Sequence, residues 1–226
     1  MLFVLGGLAV LALVFGPSLY AQAVLRWYRD ERPDFPGTGG ELARHLLDQA
    51  GLHHVPVEVT DKGDHYDPEA KAVRLTPIHH RGRSLVAVVV AAHEVGHALQ
   101  DKDGYAPLAL RVRLARMAVG VEMVGSALVY AAFALAAIAR APSLAAAAVG
   151  IGATSRFAMV AVHAITLPVE WNASFARALP LLDAGNYVAK EDLGPAKRIL
   201  RACALTYVAG SLVSLLNLWR WLRFMR

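Results

Sequence analysis

Four long apolar runs constrain the fold of this chain more than anything else in it. Residues 1–25 carry no charged side chain, 117–139 are interrupted only by Glu122, 143–168 carry Arg156 and His163, and 202–219 are uncharged. Each is long enough for a membrane-spanning helix, which needs about 20 apolar residues. Composition agrees. Hydrophobic residues make up 56% and charged residues 18%, with a mean hydropathy of +0.41. A soluble domain of 226 residues would need more polar surface. The expectation is a mainly α integral membrane protein with about four transmembrane helices and a small α+β part outside the lipid.

The first run has a rival reading as a signal peptide, because Ala21-Gln22-Ala23 resembles a cleavage site. No Lys or Arg precedes the run, whereas a signal peptide begins basic. The basic cluster follows it, at Arg26, Arg29 and Arg32. By the positive-inside rule this places residue 26 onward in the cytoplasm. Arg111, Arg113 and Arg116, with Lys197, Arg198 and Arg201, add to the cytoplasmic side. Four spans then put Arg220, Arg223 and Arg226 outside, against the usual bias. The net charge of +5 is thus explained by cationic flanks facing anionic lipid, and no nucleic-acid module is present. Cys203 is the only cysteine, which excludes an intramolecular disulfide and a cysteine-ligated zinc site.

Between the first two runs lies a stretch with soluble-domain patterning. A Pro/Gly-rich linker at 33–40 leads to a helix over about 40–50, with Leu42, Leu46 and Leu47 on one face and Gly51 as its stop. Val55, Val57 and Val59 alternate as a strand, Asp61 to Glu69 is polar and turn-like, and Ala72 to Pro77 forms a second strand. Together these predict a short β-hairpin. Ser84 to Gln100 reads as a helix whose eight-residue apolar run, Leu85 to Ala92, is too short to cross a bilayer and so belongs to a core.

That helix carries His93-Glu94-Val95-Gly96-His97. Histidines four apart lie on one helical face, so two imidazoles can reach one ion. Zinc lowers the pKa of a bound water to about 7, and Glu94, beside His93, can take the proton as general base. The alternative is a chance match, weakened by the motif's place inside an apolar helix. A catalytic zinc needs a third protein ligand and an open position. Glu170, His163, Glu122, His79 and His80 are the candidates.

These phrases also carry a resemblance. ELARHLLDQAG (41–51), DHYDP (64–68), GRSLVAVVVAAHEVGHALQ (82–100), GYAPLALR (104–111), TLPVEWNAS (166–174) and LRACALTYVA (200–209) resemble the YugP-like neutral zinc metallopeptidases of bacterial membranes. The likeness runs from about Glu41 to Leu216. The family is similar in layout to the HtpX-like and CAAX-processing gluzincins, where a Glu followed by x-x-Ala on a later helix completes the site. Glu170 with Ala173 fits that pattern. The resemblance therefore implies one Zn2+ per chain on His93, His97 and Glu170, and a zincin-like catalytic part. Those relatives carry Asp after the Ala, and Ser174 stands there instead. That leaves the hydrogen-bond partner of the histidines open.

The remaining polar residues are weighed against bland roles. His65 and Tyr66 are candidate catalytic residues, because a His or Tyr near an edge strand can stabilise an oxyanion; the alternative is an exposed turn. His79 and His80 read as loop residues, Asn172 as structural, Tyr207 as packed, and Trp219 and Trp221 as an interfacial belt. Arg156, His163 and Glu170 are spaced by seven and share a helical stripe, which predicts that Glu122 partners His163 in a wet cavity.

The expected protein is a single membrane-embedded domain, 1–226, with its catalytic part at about 33–116 and 169–200. It is a metalloendopeptidase that hydrolyses peptide bonds with a zinc-activated water and Glu94 as base. It sits multi-pass in the bacterial inner membrane with the site facing the cytoplasm. Its partners are the lipid bilayer and peptide or membrane-protein substrates, with no nucleic acid. A non-catalytic zinc scaffold and a small transporter are the alternatives; an intact Glu94 argues against the first.

Overall fold

The computed structural model describes residues 2–141, 143–144, 146–147, 150, 162 and 165–206. Helix α1 spans Leu2–Trp27. Helix α2, Gly39–Gln49, begins on a capping box. Thr38 Oγ1 accepts from the Glu41 N–H at 3.2 Å, and Glu41 Oε2 accepts from the Thr38 N–H at 2.7 Å. Two orphan donors are thereby satisfied, as a capping box does. The helix buries Ala43, Leu46 and Leu47 and stops before Gly51, which takes φ +71°. This is the helix and the stop expected from sequence.

The sheet differs from the expected hairpin. Strands β1, Val57–Val59, and β3, Ala72–Leu75, both form, but they run parallel, with Val57 opposite Val73 and Val59 opposite Leu75. A third strand, β2, His65–Asp67, lies inside the stretch expected to be a turn. It pairs antiparallel with β3, giving the order β1-β3-β2. The true hairpin is β2–β3. Its turn is made by Asp67 Oδ1, which accepts from the Glu69 and Ala70 N–H groups, and by Lys71 at φ 51°. β2 is polar yet a strand because it is three residues long and its Asp67 is paired with Arg74 on β3. Asp64 anchors the entry to β2. Its Oδ1 accepts from the Thr76 N–H at 2.7 Å, and its Oδ2 lies 2.7 Å from His79 Nδ1. His79 and His80 sit in a helical turn, α3, Pro77–Arg81, rather than a loop.

Helix α4, Leu85–Lys102, is capped by Ser84 Oγ accepting from the Ala87 N–H and is buried almost throughout. It runs through the core: Leu46 and Leu47 of α2 and Val73 and Leu75 of β3 join Val86, Val89 and Val90. Two further helices complete that core. Helix α6 covers 165–184 and α7 covers 193–206. They contribute Leu182, Ile199 and Leu200. Each fully buried Leu, Ile or Val side chain stabilises by about 1.5–3 kcal/mol, so α4 is a well-fixed platform. Ala202 and Ala204, at the start of the fourth apolar run, are buried as well.

Helix α5, Ala106–Ala139, starts with Pro107 in its first turn and includes the whole expected span 117–139. Among the described residues it is the helix long and apolar enough to cross a membrane. Met117, Val119, Met123, Tyr130 and Ile138 are exposed along it. Glu122 is exposed too. Arg156, His163, Tyr207, Trp219, Trp221, most of the run 143–168 and residues 207–219 of the fourth run lie outside the described residues, as does the expected Glu122–His163 pairing.

Candidate metal centre

Two helices build the site. α4 presents His93 and His97 one turn apart, and α6 brings Glu170 against them. The approach is close: a Cβ on Gly96 would lie 2.7 Å from the Ala173 carbonyl oxygen. Only glycine lets the two backbones meet there. Helix α6 continues through Pro168 and widens into a π-helical segment, Asn172–Ala178, two residues after Glu170. Such wider turns recur at functional sites.

His93, His97 and Glu170 are all buried, and their ligand atoms lie within 4.8 Å of one another. Glu170 Oε2 is 3.2 Å from His93 Nε2 and 3.3 Å from His97 Nε2. The tautomers follow from the outer hydrogen bonds. Gln100 Nε2 donates to the Val169 carbonyl at 2.8 Å and to Asn172 Oδ1 at 2.9 Å, so its Oε1 is the atom facing His97 Nδ1, 2.9 Å away. An amide oxygen only accepts. His97 Nδ1 therefore carries the proton, and the Nε2 of the neutral ring offers a lone pair to Glu170. His93 is held alike: its Nδ1 lies 3.1 Å from Ser174 Oγ, which donates onward to the Leu200 carbonyl at 3.4 Å. Three acceptor atoms then converge in a buried space with no hydrogen between them. A cation resolves that repulsion, and two imidazoles with one carboxylate are the donor set of a catalytic zinc. Without a cation, burial raises the Glu170 carboxyl, and His97 and His93 in their protonated forms outweigh it and hold Glu170 well below the usual carboxylate range.

Ser174 is thus the histidine partner at the position where the resembling families carry Asp. Asn172 also does more than fill space, since it fixes Gln100 and, through Gln100, His97; Arg177 Nε donates to it at 3.2 Å. Sequence reasoning left Gln100 without a role. Its signals were a place three residues after His97 on the same helix and an uncharged polar group in an apolar stretch. In the sequence Arg111 is one of three basic flanking residues and nothing sets it apart, yet its Nη1 donates to Glu170 Oε1 at 2.7 Å.

Glu94 faces a cleft of about 420 Å³. The cleft is lined by β2, by Leu108, Arg111 and Val112 of α5, and by His97. β2 is an edge strand. Val73 of β3 donates to the Pro56 carbonyl on the far side, so Tyr66, opposite it, turns its N–H outward. That N–H donates to Glu94 Oε2 at 2.9 Å. Burial pushes the Glu94 carboxyl up to about 7, with the Glu170 and Asp64 charges adding and His93 and the Tyr66 N–H opposing.

His65 lines the cleft, with Nδ1 donating to the Gly63 carbonyl at 2.8 Å. The side chain of Tyr66 does not match its expected part. Its hydroxyl donates to Asp101 Oδ2 at 2.6 Å, beside Lys71. That commitment and burial drive the phenol well above its ordinary pKa, so it enters the site through its main chain. His79 goes to Asp64, and Glu122 is exposed on α5. Of the candidate third ligands in the described residues, Glu170 is the one that joins the two histidines.

The comparisons with known proteins agree with a zinc site. A family model described as "Putative neutral zinc metallopeptidase" matches residues 3–226. The chain is 36% identical over 223 residues to the "Putative membrane protease YugP" of Bacillus subtilis (strain 168), covering 97% of this chain and 95% of that protein. No solved structure matches significantly. A match across nearly the whole sequence, with a buried cluster that could hold one metal ion, leads to one conclusion: this chain belongs to the neutral zinc metallopeptidase family.

Proposed function

We propose that the chain is a membrane-embedded zinc metalloendopeptidase, one unit over residues 1–226, that cleaves peptide segments of membrane or membrane-near proteins. The observation that carries this is the meeting of His93, His97 and Glu170 in one buried cluster, with His97 and Glu94 both lining the adjoining cleft. Zinc bound there supplies Lewis-acid polarisation of the scissile carbonyl and makes water a nucleophile near neutral pH. Glu94 takes the proton from water and later gives it to the leaving amine. A carboxyl raised to about 7 suits both directions of transfer. The Tyr66 N–H holds Glu94 in place, and the outward Tyr66 carbonyl of β2 is left to accept from an extended peptide. His65 Nδ1 is committed to Gly63, so Nε2 donates to a developing oxyanion only in the imidazolium form.

The lipid bilayer as partner is supported by the exposed apolar length of α5 and by the relative's printed name, a membrane protease. We read the protein as multi-pass in a bacterial inner membrane with the spans at about 1–25, 117–139, 143–168 and 202–219. The site faces the cytoplasm, on the side of Arg26, Arg29 and Arg32, and nucleic acid has no part. Comparison of cleavage products from cells expressing wild type or Glu94→Gln tests the reading, together with zinc content of purified His93→Ala. Products that vanish in Glu94→Gln and metal lost in His93→Ala are expected. An unchanged product set, or full zinc without His93, would overturn it.

A further inference from the structure

We propose that Arg111 is a positioning residue that restricts Glu170 to ligation through one oxygen and so keeps a coordination position open for substrate and water. The inference rests on the zinc reading above. Glu170 is fully buried, and its two oxygens have different neighbours. Oε2 faces both histidine Nε2 atoms, while Oε1 accepts the charge-assisted bond from Arg111 Nη1 at 2.7 Å. A carboxylate with both oxygens free can chelate a metal, and the second oxygen would add a fifth donor beside the water and crowd the position that a catalytic zinc keeps for substrate. Holding Oε1 on a guanidinium prevents that, and arginine keeps its charge at every working pH.

The three basic residues at the start of α5 are not equivalent. Arg116 is paired with Glu69, and both side chains are largely exposed. Arg111 turns inward, its side chain 24% exposed against a carboxylate that is 0% exposed. It also lines the cleft with Glu94 and His97. The seating of the candidate membrane helix is therefore tied directly to one metal ligand.

The test loads the full-length protein in detergent with Co2+ and reads visible absorption, which is strong for four-coordinate cobalt and weak for five-coordinate. Wild type should give the strong band. Arg111→Met, which keeps the aliphatic stem but no donor, should lose much of it. The zinc form of Arg111→Met should lose about 10–100-fold in kcat with KM unchanged. Arg111→Lys, which keeps charge and a donor, should recover much of both signals. Should Arg111→Met not fold, Arg111→Ala carries the same measurement, again with no donor. A wild-type band in the Met or Ala variant, or a loss confined to KM, would overturn the proposal. A wild-type protein that takes up no cobalt would overturn the zinc reading itself, and this proposal with it.

Discussion

Replacing Glu94 by Gln should stabilise the metal-free protein, and by an amount that depends on pH. Glu94 is 6% exposed, and the first cause of its raised pKa is desolvation. Its value moves from 4.5 to about 7 on folding. Because the folded value is the higher one, folding favours the protonated form. The penalty is absent below pH 4.5, grows as pH rises, and is complete above about 7. At 1.36 kcal/mol per pH unit this is about 3 kcal/mol, or about 6–12 °C in Tm for a chain of this size. Gln keeps the shape, and its Oε1 can still accept the Tyr66 N–H. Thermal unfolding of chelator-treated wild type and Glu94→Gln in one detergent, from about pH 4 to pH 8, reads the difference directly. The two proteins should coincide at the acid end and separate steadily towards neutrality, Glu94→Gln being the more stable. A gap that does not change with pH, or a less stable Gln variant near pH 8, would refute the desolvation argument. Restoring zinc should shrink the gap, because a nearby dication favours the carboxylate.

Three further outcomes follow from the packing around the site. Ser174→Ala removes the acceptor for His93 Nδ1 and should weaken zinc binding about 10–100-fold in chelator competition; wild-type affinity would show that Ser174 does not orient His93. Gly96→Ala places a Cβ 2.7 Å from the Ala173 carbonyl oxygen, which should cost about 1–3 kcal/mol in stability and, by pushing α6 back, lower zinc affinity too. Unchanged Tm and affinity would mean that the helices are free to separate there. Lys102→Cys should react with an impermeant maleimide only after the inner membrane is opened; labelling in intact spheroplasts would reverse the assigned topology.

Much of the site was legible in the order of residues. A spacing of four on an apolar helix brings His93 and His97 to one side whatever surrounds them, and Glu94 follows from its place beside His93. The core character of α4, the capped helix α2 and its stop at Gly51 are likewise local, since each depends on residues within about one turn of one another. Glu170 was legible only because a family likeness singled it out among five candidates. Nothing within its own segment says which metal it meets.

What the tertiary structure alone decided is whatever joins distant segments. β1 runs parallel to β3 while β2 pairs with its other edge, and alternation of side chains cannot distinguish those pairings. Tyr66 gives its hydroxyl to Asp101 and its N–H to Glu94, a division of labour set by how β2 lies on α4. Gln100 meets Asn172, and Arg111 meets Glu170, across separations of 72 and 59 residues. The sequence by itself determined which side chains could ligate a metal, because ligand chemistry and helical period are local properties. Which oxygen of Glu170 faces the histidines, and which is held by a guanidinium, was decided only when α4, α5 and α6 packed together. Hydrogen-bond geometry between segments depends on their relative placement to a fraction of an ångström, and no local pattern encodes that.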